Sequence, residues 1–366
     1  MPQKDFTPTP EQQIALSMAY LAYSGEKIIY SDTPNASVPA IILKIINDTL
    51  PKISVLCDAE KNNQVDWEVV WGPSIYTFED AILQDNMMFV AQQISAPCNY
   101  VVAIRGTNGL AMMDWIKEDF EVWRKEPWKL PVGSSAIGNP KISKATNTGL
   151  DALLNKMAPA QGLPSAGMNI NDFLSGIANS GTTTNTPINI TFTGHSLAGA
   201  LAPTLALWFK QQQGIQNSWD PNNNAIISTI PFAGATPGNA DFAAYFDQQL
   251  GSRSQRIWNT LDVVPHAWQE ERLDEIPSLY QSAGIKTDEA FKLLLEAVKL
   301  TVRGYQQQAT DTPCTWTIQP DKTTFASQAA VQHSDSYPML LGVPELTTVI
   351  DDGSFFNQSS QKAINA

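Results

Sequence analysis

The chain has 366 residues, 43% of them apolar and 16% charged, a balance that supports a large buried core and excludes disorder over most of the length. Its formal net charge of -13 repels phosphate backbones and anionic headgroups alike, which leaves nucleic-acid binding without electrostatic support. The 3 cysteines, Cys57, Cys98 and Cys314, lie far apart; they allow at most one disulfide, and no Cys-x-x-Cys pair suggests zinc.

At the N-terminus Lys4 is accompanied by Asp5 and Glu11, and the apolar stretch from Ile14 is broken by Ser17, Tyr20 and Tyr23. This reads neither as a cleavable signal peptide nor as a membrane span, so a cytoplasmic location or leaderless export is expected. Residues 9–24 predict a helix with Thr9 as cap, Pro10 in the first turn, Ile14, Met18, Leu21 and Ala22 on one face, and Gly25 as terminator. A second helix begins near Pro39, carries Ile41, Ile42, Ile45, Ile46 and Leu50, and closes at Pro51. Both belong to an N-terminal helical region, residues 1–60, that flanks a sheet.

From Val65 to Gly106 the period switches to that of strands, at residues 67–71, 88–92 and 99–104. The last run is nearly all apolar, as a strand buried on both faces must be. Arg105-Gly106-Thr107 follows at its carboxyl end, where open α/β sheets place their ligands. Residues 108–128 interleave Met112, Met113, Trp115, Ile116, Phe120, Trp123 and Trp128 with charges, which predicts an amphipathic helix. Residues 129–187 read as a polar insertion with one helix around residues 148–157 and a mobile Thr- and Asn-rich loop before Ile188.

Residues 188–208 read as strand, sharp turn and helix. Ser196 sits on the turn, in Gly194-His195-Ser196-Leu197-Ala198-Gly199, where its hydroxyl projects above the sheet beside the unpaired N–H groups of the helix start. Small residues are needed at 194, 198 and 199 because strand and helix nearly collide there. Ala198 occupies a position that is glycine in the common Gly-x-Ser-x-Gly pattern, so one extra methyl must fit, with Gly199 expected to relieve the crowding. Pro203 is expected to bend the helix.

Further on, residues 255–259 predict a strand that delivers Asp262 at its carboxyl end. Residues 274–308 form a second insertion with a helix capped by Thr287 and bearing Phe291, Leu294, Leu295, Val298 and Val302 on one face. That helix packs on the sheet or walls a substrate cleft. Residues 314–318 read as the last strand, with His333 in a loop after it.

A serine nucleophile needs a base, and histidine, with an unperturbed pKa of about 6.5, is the usual one. Of the 3 histidines, His195 adjoins the serine and should point away from its hydroxyl, and His266 follows Asp262 closely enough to be a local partner. His333 is the preferred base. Asp262 is the preferred acid, against the alternative of a turn cap; Asp335 is too near His333 in sequence. The order Ser196, Asp262, His333 is that of hydrolases built on a strand–elbow–helix unit.

The runs Val101-Val-Ala-Ile-Arg-Gly-Thr107 and Asp114-Trp-Ile116, the elbow from Gly194 to Ala202, Pro231 to Asn239, Asn259 to Pro265, and His333 with Tyr337 and Leu340-Leu-Gly342 occur in one order. Together they resemble the class 3 (fungal-type) triacylglycerol lipases. The resemblance implies an α/β-hydrolase fold over residues 1–366 as a single domain: a mixed, mostly parallel sheet flanked by helices, with a lid at 108–128 and insertions at 129–187 and 274–308. It implies a serine hydrolase that cleaves carboxylic esters of lipids through Ser196, His333 and Asp262 and an acyl-enzyme. Leu197 and Thr107 would supply the oxyanion donors, and Met112, Met113, Trp115 and Ile116 the apolar face of the lid, unless that helix is simply packed into the core. No cofactor or metal is implied, and the expected partner is a neutral acyl ester or a lipid–water interface. A phospholipase, an aryl-esterase or an acyltransferase would use the same triad, and Ala198 leaves open a non-catalytic lipid-binding relative.

Overall fold

The structure, a computed structural model, describes residues 6–25, 38–78, 85–106, 122–184 and 186–349. Seven strands form its main sheet: β1 (Trp67–Thr77), β2 (Asp85–Gln93), β3 (Asn99–Ile104), β4 (Ile188–His195), β5 (Ala225–Phe232), β6 (Arg256–Asn259) and β7 (Asp311–Cys314). Their spatial order is β7-β6-β5-β4-β3-β2-β1. The strands from β3 to β7 run parallel, and β1 and β2 add an antiparallel edge. This is the mixed, mostly parallel sheet expected.

Burial follows the period-2 geometry of a strand. In β2 Met87, Phe89 and Ala91 enter one core and Met88 and Val90 the other. In β3 Val101 and Ala103 face the first core, and Tyr100, Val102 and Ile104 the second, so every residue from 100 to 104 is buried. Such double burial is why β3 reads as a continuous apolar run.

Helices α1 (Pro10–Leu21) and α2 (Val38–Thr49) cover the first face. Thr9 caps α1 with Pro10 in the first turn, as read from the sequence, and Gln12 completes a capping box with it. Helices α3 (Lys144–Asn155), α4 (Ile170–Thr184), α5 (Ala198–Gln212) and α6 (Ala240–Gln249) cover the second face. A third core joins the segment after β6, Val263 and Val264, to α7 (Glu289–Thr301) and α8 (Phe325–Ser334) through Phe291, Leu295, Phe325 and Ala329.

Several expectations change, among them the cap of α7, which is Asp288 rather than Thr287. The 129–187 insertion holds two helices rather than one: Ile170, Phe173, Leu174 and Ala178 form the buried stripe of α4, at a helical spacing that the surrounding Ser, Thr, Asn and Gly obscure. The last strand is residues 311–314, not 314–318. Its four residues pair in register with β6, after which Trp316 N–H donates to the Asn259 side chain (3.1 Å) and leaves the ladder. Residues 125–127, expected to end the 108–128 helix, form a short strand paired with residues 141–143. His333, expected in a loop, lies in the last turn of α8. Residues 107–121, which carry Thr107 and the expected lid residues Met112, Met113, Trp115 and Ile116, lie outside the described residues. No helix among the described residues is long and apolar enough to cross a membrane.

Candidate active site

Parallel pairing brings the carboxyl ends of β3 to β6 to one edge. Ile104 lies opposite Gly194, His195 opposite Phe232, and Phe232 opposite Ile257. The segments 105–106, 196–197, 233–234 and 260–262 therefore emerge side by side at the edge where ligands of open α/β sheets bind.

Ser196 occupies the turn between β4 and α5 with φ of 64°, a left-handed conformation that a non-glycine residue adopts only when its surroundings enforce it. Its N–H donates to the Phe232 carbonyl (3.1 Å), and its own carbonyl accepts from Gly199 (2.8 Å). A Cβ on Gly194 would lie 2.6 Å from the Ala198 methyl, so that methyl fits because Gly194 has none. Gly199 plays a different part from the one expected. A Cβ there would meet the Phe232 carbonyl at 2.3 Å and Gly234 Cα at 2.6 Å, so it lets α5 approach the end of β5. Gly106 brings the loop after β3 against the same turn, since a Cβ on it would lie 2.4 Å from the His195 carbonyl and 3.1 Å from Ser196 Cβ.

The Ser196 hydroxyl lies 2.9 Å from His333 Nε2. His333 Nδ1 lies 3.0 and 2.9 Å from the two Asp262 carboxylate oxygens. All three side chains are buried, at 8%, 1% and 0% exposure, which strengthens each polar interaction by excluding water. The Leu197 N–H opens the first turn of α5, where backbone donors have no intrahelical acceptor. The structure thus unites Ser196, Leu197, Asp262 and His333.

Asp262 is held from two further sides. Val264 N–H donates to Oδ1 (3.0 Å), and the Tyr337 hydroxyl donates to Oδ2 (2.8 Å) while accepting from Asn259 N–H (3.1 Å). Burial, followed by the Asp262 charge, pushes the Tyr337 phenol well above its usual range, so it remains a donor. The Asn259 amide donates to the carbonyl (3.2 Å) and side chain (2.8 Å) of Gln332 and to Ser336 (3.0 Å), which ties β6 to the end of α8 beside His333. Arg256 donates to the Pro265 carbonyl (3.1 Å) and so fastens the loop after Asp262. Burial lowers its pKa to about 10.

The other two histidines are bound elsewhere. His266 Nδ1 donates to the Asp262 carbonyl (2.7 Å), and its Nε2 faces Glu275 (3.3 Å). His195 Nε2 donates to the His333 carbonyl (2.8 Å), and its Nδ1 faces the Tyr23 hydroxyl (3.2 Å). Burial, then the neighbouring His333, holds His195 well below its usual pKa, and it stays neutral. Sequence reasoning passed over Tyr20 and Tyr23 of the N-terminal region. The Tyr20 hydroxyl donates to the Ser334 carbonyl (2.5 Å), and that of Tyr23 contacts the His195 carbonyl (3.2 Å). The one signal for them was a pair of tyrosines three apart on an apolar stretch, whose hydroxyls need partners once buried.

The class 3 lipase family profile matches residues 101–271. Among solved structures, M37 lipase is 35% identical over 97% of this chain and 100% of its own, with a TM-score of 0.80. Lipase II from Rhizopus niveus is 17% identical over 72% of this chain and 75% of its own, with a TM-score of 0.44. Lip2 lipase from Yarrowia lipolytica is 13% identical over 86% and 84%, with a TM-score of 0.49. No curated protein matches the chain. With a full-length relative at 35% identity and the family profile spanning β3 to Asp262, the chain belongs to the class 3 lipase family and is an ester hydrolase of the α/β-hydrolase fold.

Proposed function

We propose that this lipase cleaves carboxylic esters of neutral lipids, triacylglycerols foremost, with Ser196 as nucleophile, His333 as general base and Asp262 as the group that orients the imidazole. His333 Nε2 takes the hydroxyl proton as Ser196 Oγ bonds to the ester carbonyl carbon. The Leu197 N–H is one donor to the oxyanion that develops, and Thr107, which follows Gly106 in the sequence, is assigned the second by the resemblance of its loop to that of the family. The tetrahedral species collapses to an acyl-serine as His333 returns the proton to the departing alcohol. Water, deprotonated by the same nitrogen, then attacks the acyl-serine and releases the acid. Asp262 keeps the Nδ1–H tautomer and offsets the imidazolium charge.

One observation supports the reading above all: the unbroken hydrogen-bonded chain Ser196–His333–Asp262 at 2.9 and 2.9 Å, at the carboxyl edge of a parallel sheet. Ser196→Ala should remove hydrolysis of tributyrin and of p-nitrophenyl esters without changing the circular dichroism spectrum. A fluorophosphonate should add one adduct, located on Ser196 by mass spectrometry. An active Ser196→Ala enzyme, or an adduct on another residue, would overturn the assignment.

A further inference from the structure

His333 lies in the last turn of α8, and the final four carbonyls of a helix have no donor within it. In α8 each is met from outside. The Val331 carbonyl accepts from Asp335 N–H (3.0 Å), and that of Gln332 accepts from the Ser336 hydroxyl (2.6 Å) and the Asn259 amide (3.2 Å). The Ser334 carbonyl accepts from the Tyr20 hydroxyl (2.5 Å). The carbonyl of His333 itself accepts from His195 Nε2 (2.8 Å).

Of these donors His195 alone belongs to the segment that carries the nucleophile. The base is therefore joined to the elbow twice. In front, its Nε2 meets Ser196 Oγ at 2.9 Å; behind, its backbone is held by the ring of the residue that precedes the serine. The tautomer of that ring is fixed. A carbonyl only accepts, so His195 Nε2 carries the proton, and Nδ1 of the neutral ring is an acceptor, 3.2 Å from the Tyr23 hydroxyl. The ring is fully buried, with Tyr20 and Tyr337 edge-on to it at 5.2 and 5.3 Å between centroids.

A neutral donor suits this place. His333 gains a positive charge when it takes the serine proton, and its ring centroid lies 4.5 Å from that of His195. A lysine or arginine capping the same carbonyl would oppose that charge. Burial, and then His333 itself, keep His195 from taking a second proton.

We propose that His195 is a positioning residue for ester hydrolysis: its bond to the His333 carbonyl sets the last turn of α8 against the elbow and so fixes the distance from Ser196 Oγ to His333 Nε2. The ring transfers no proton. This role rests on Ser196 as nucleophile and His333 as base.

Two amides that differ by one methylene separate the two ring nitrogens. In His195→Gln the amide extends to the place of Nε2 and keeps the donor, whereas in His195→Asn it extends only to the place of Nδ1. Rates on p-nitrophenyl butyrate are taken per folded molecule, counted by circular dichroism. His195→Gln should keep kcat within about threefold of wild type, and His195→Asn should lose about tenfold to a hundredfold in kcat with KM unchanged. In a His333→Ala background, His195→Asn should alter the residual rate by less than about twofold, because no base is left to displace; a general loss of structure would lower both backgrounds alike. Long-range proton–nitrogen NMR of the wild-type protein labelled with ¹⁵N-histidine, which depends on no variant folding, should show His195 as the Nε2–H tautomer. Wild-type kcat in His195→Asn, equal losses in His195→Asn and His195→Gln, an undiminished loss in the His333→Ala background, or the Nδ1–H tautomer would overturn the inference. An active Ser196→Ala or His333→Ala enzyme would instead overturn the assignment of the triad on which it rests.

Discussion

Gly199→Ala isolates the contact that sets the position of Ser196. The added Cβ would lie 2.3 Å from the Phe232 carbonyl oxygen, 2.6 Å from Gly234 Cα and 2.7 Å from Gly234 N. All three are backbone atoms and cannot rotate away, so reaching an ordinary contact of 3.4 Å requires the start of α5 and the end of β5 to part by about 1 Å, with the energetic cost of overpacking, roughly 1–3 kcal/mol. The same Phe232 carbonyl accepts the Ser196 N–H at 3.1 Å. The displacement is therefore passed to the serine hydroxyl, now 2.9 Å from His333 Nε2. A misplacement of about 1 Å at a reacting atom costs on the order of a hundredfold in turnover. Urea denaturation and p-nitrophenyl ester kinetics measure the two effects on one preparation. Ala198→Gly is the control: it removes a methyl that fits, and should cost only about 0.5–1 kcal/mol of stability with turnover kept. A Gly199→Ala enzyme with unchanged stability and turnover would refute the claim that this close approach positions the serine.

Tyr337→Phe should remove the donor to Asp262 Oδ2 and the acceptor of Asn259 N–H, lowering stability in urea by about 2–5 kcal/mol; wild-type stability would show that neither group depends on the phenol. Stability should also fall with acidity through His195. The unfolded histidine takes a proton below about pH 6.5, whereas the buried folded one, held well below that value, does not. The unfolded state then binds more protons, and unfolding becomes easier as pH drops below about 6.5, by at most about 1.4 kcal/mol per pH unit. His195→Gln should show a flatter decline between pH 7 and pH 5, and parallel curves would contradict the reading. His333→Ala should lose at least about a thousandfold in turnover, while His266→Ala, which removes only the bonds to the Asp262 carbonyl and Glu275, should stay within about tenfold. The reverse pattern would exchange their roles.

What was legible in the sequence was local or periodic. Thr9 and Pro10 announce the start of α1, the apolar run at 99–104 announces a doubly buried strand, and Gly194 to Gly199 announce a turn too tight for larger residues. Ser196, Asp262 and His333 could be named because chain order and residue type constrain which side chains can meet above a sheet edge. The secondary structure around His333 could not be read as well. Residues 325–334 have no amphipathic stripe, because His333, Gln332 and Gln328 are buried together with Phe325 and Ala329, and a helix buried on its polar side does not show a helical period.

The sequence by itself determined the strand, elbow and helix about Ser196 and the residue types of the site, since propensity, turn sterics and side-chain chemistry act over a few positions. Tertiary structure alone decided what surrounds that site. Tyr23 meets His195 across 172 positions of chain and Asn259 meets Gln332 across 73. Contacts of this range arise from how helices dock on a sheet, and docking depends on the summed burial of many side chains, which no short stretch of sequence carries.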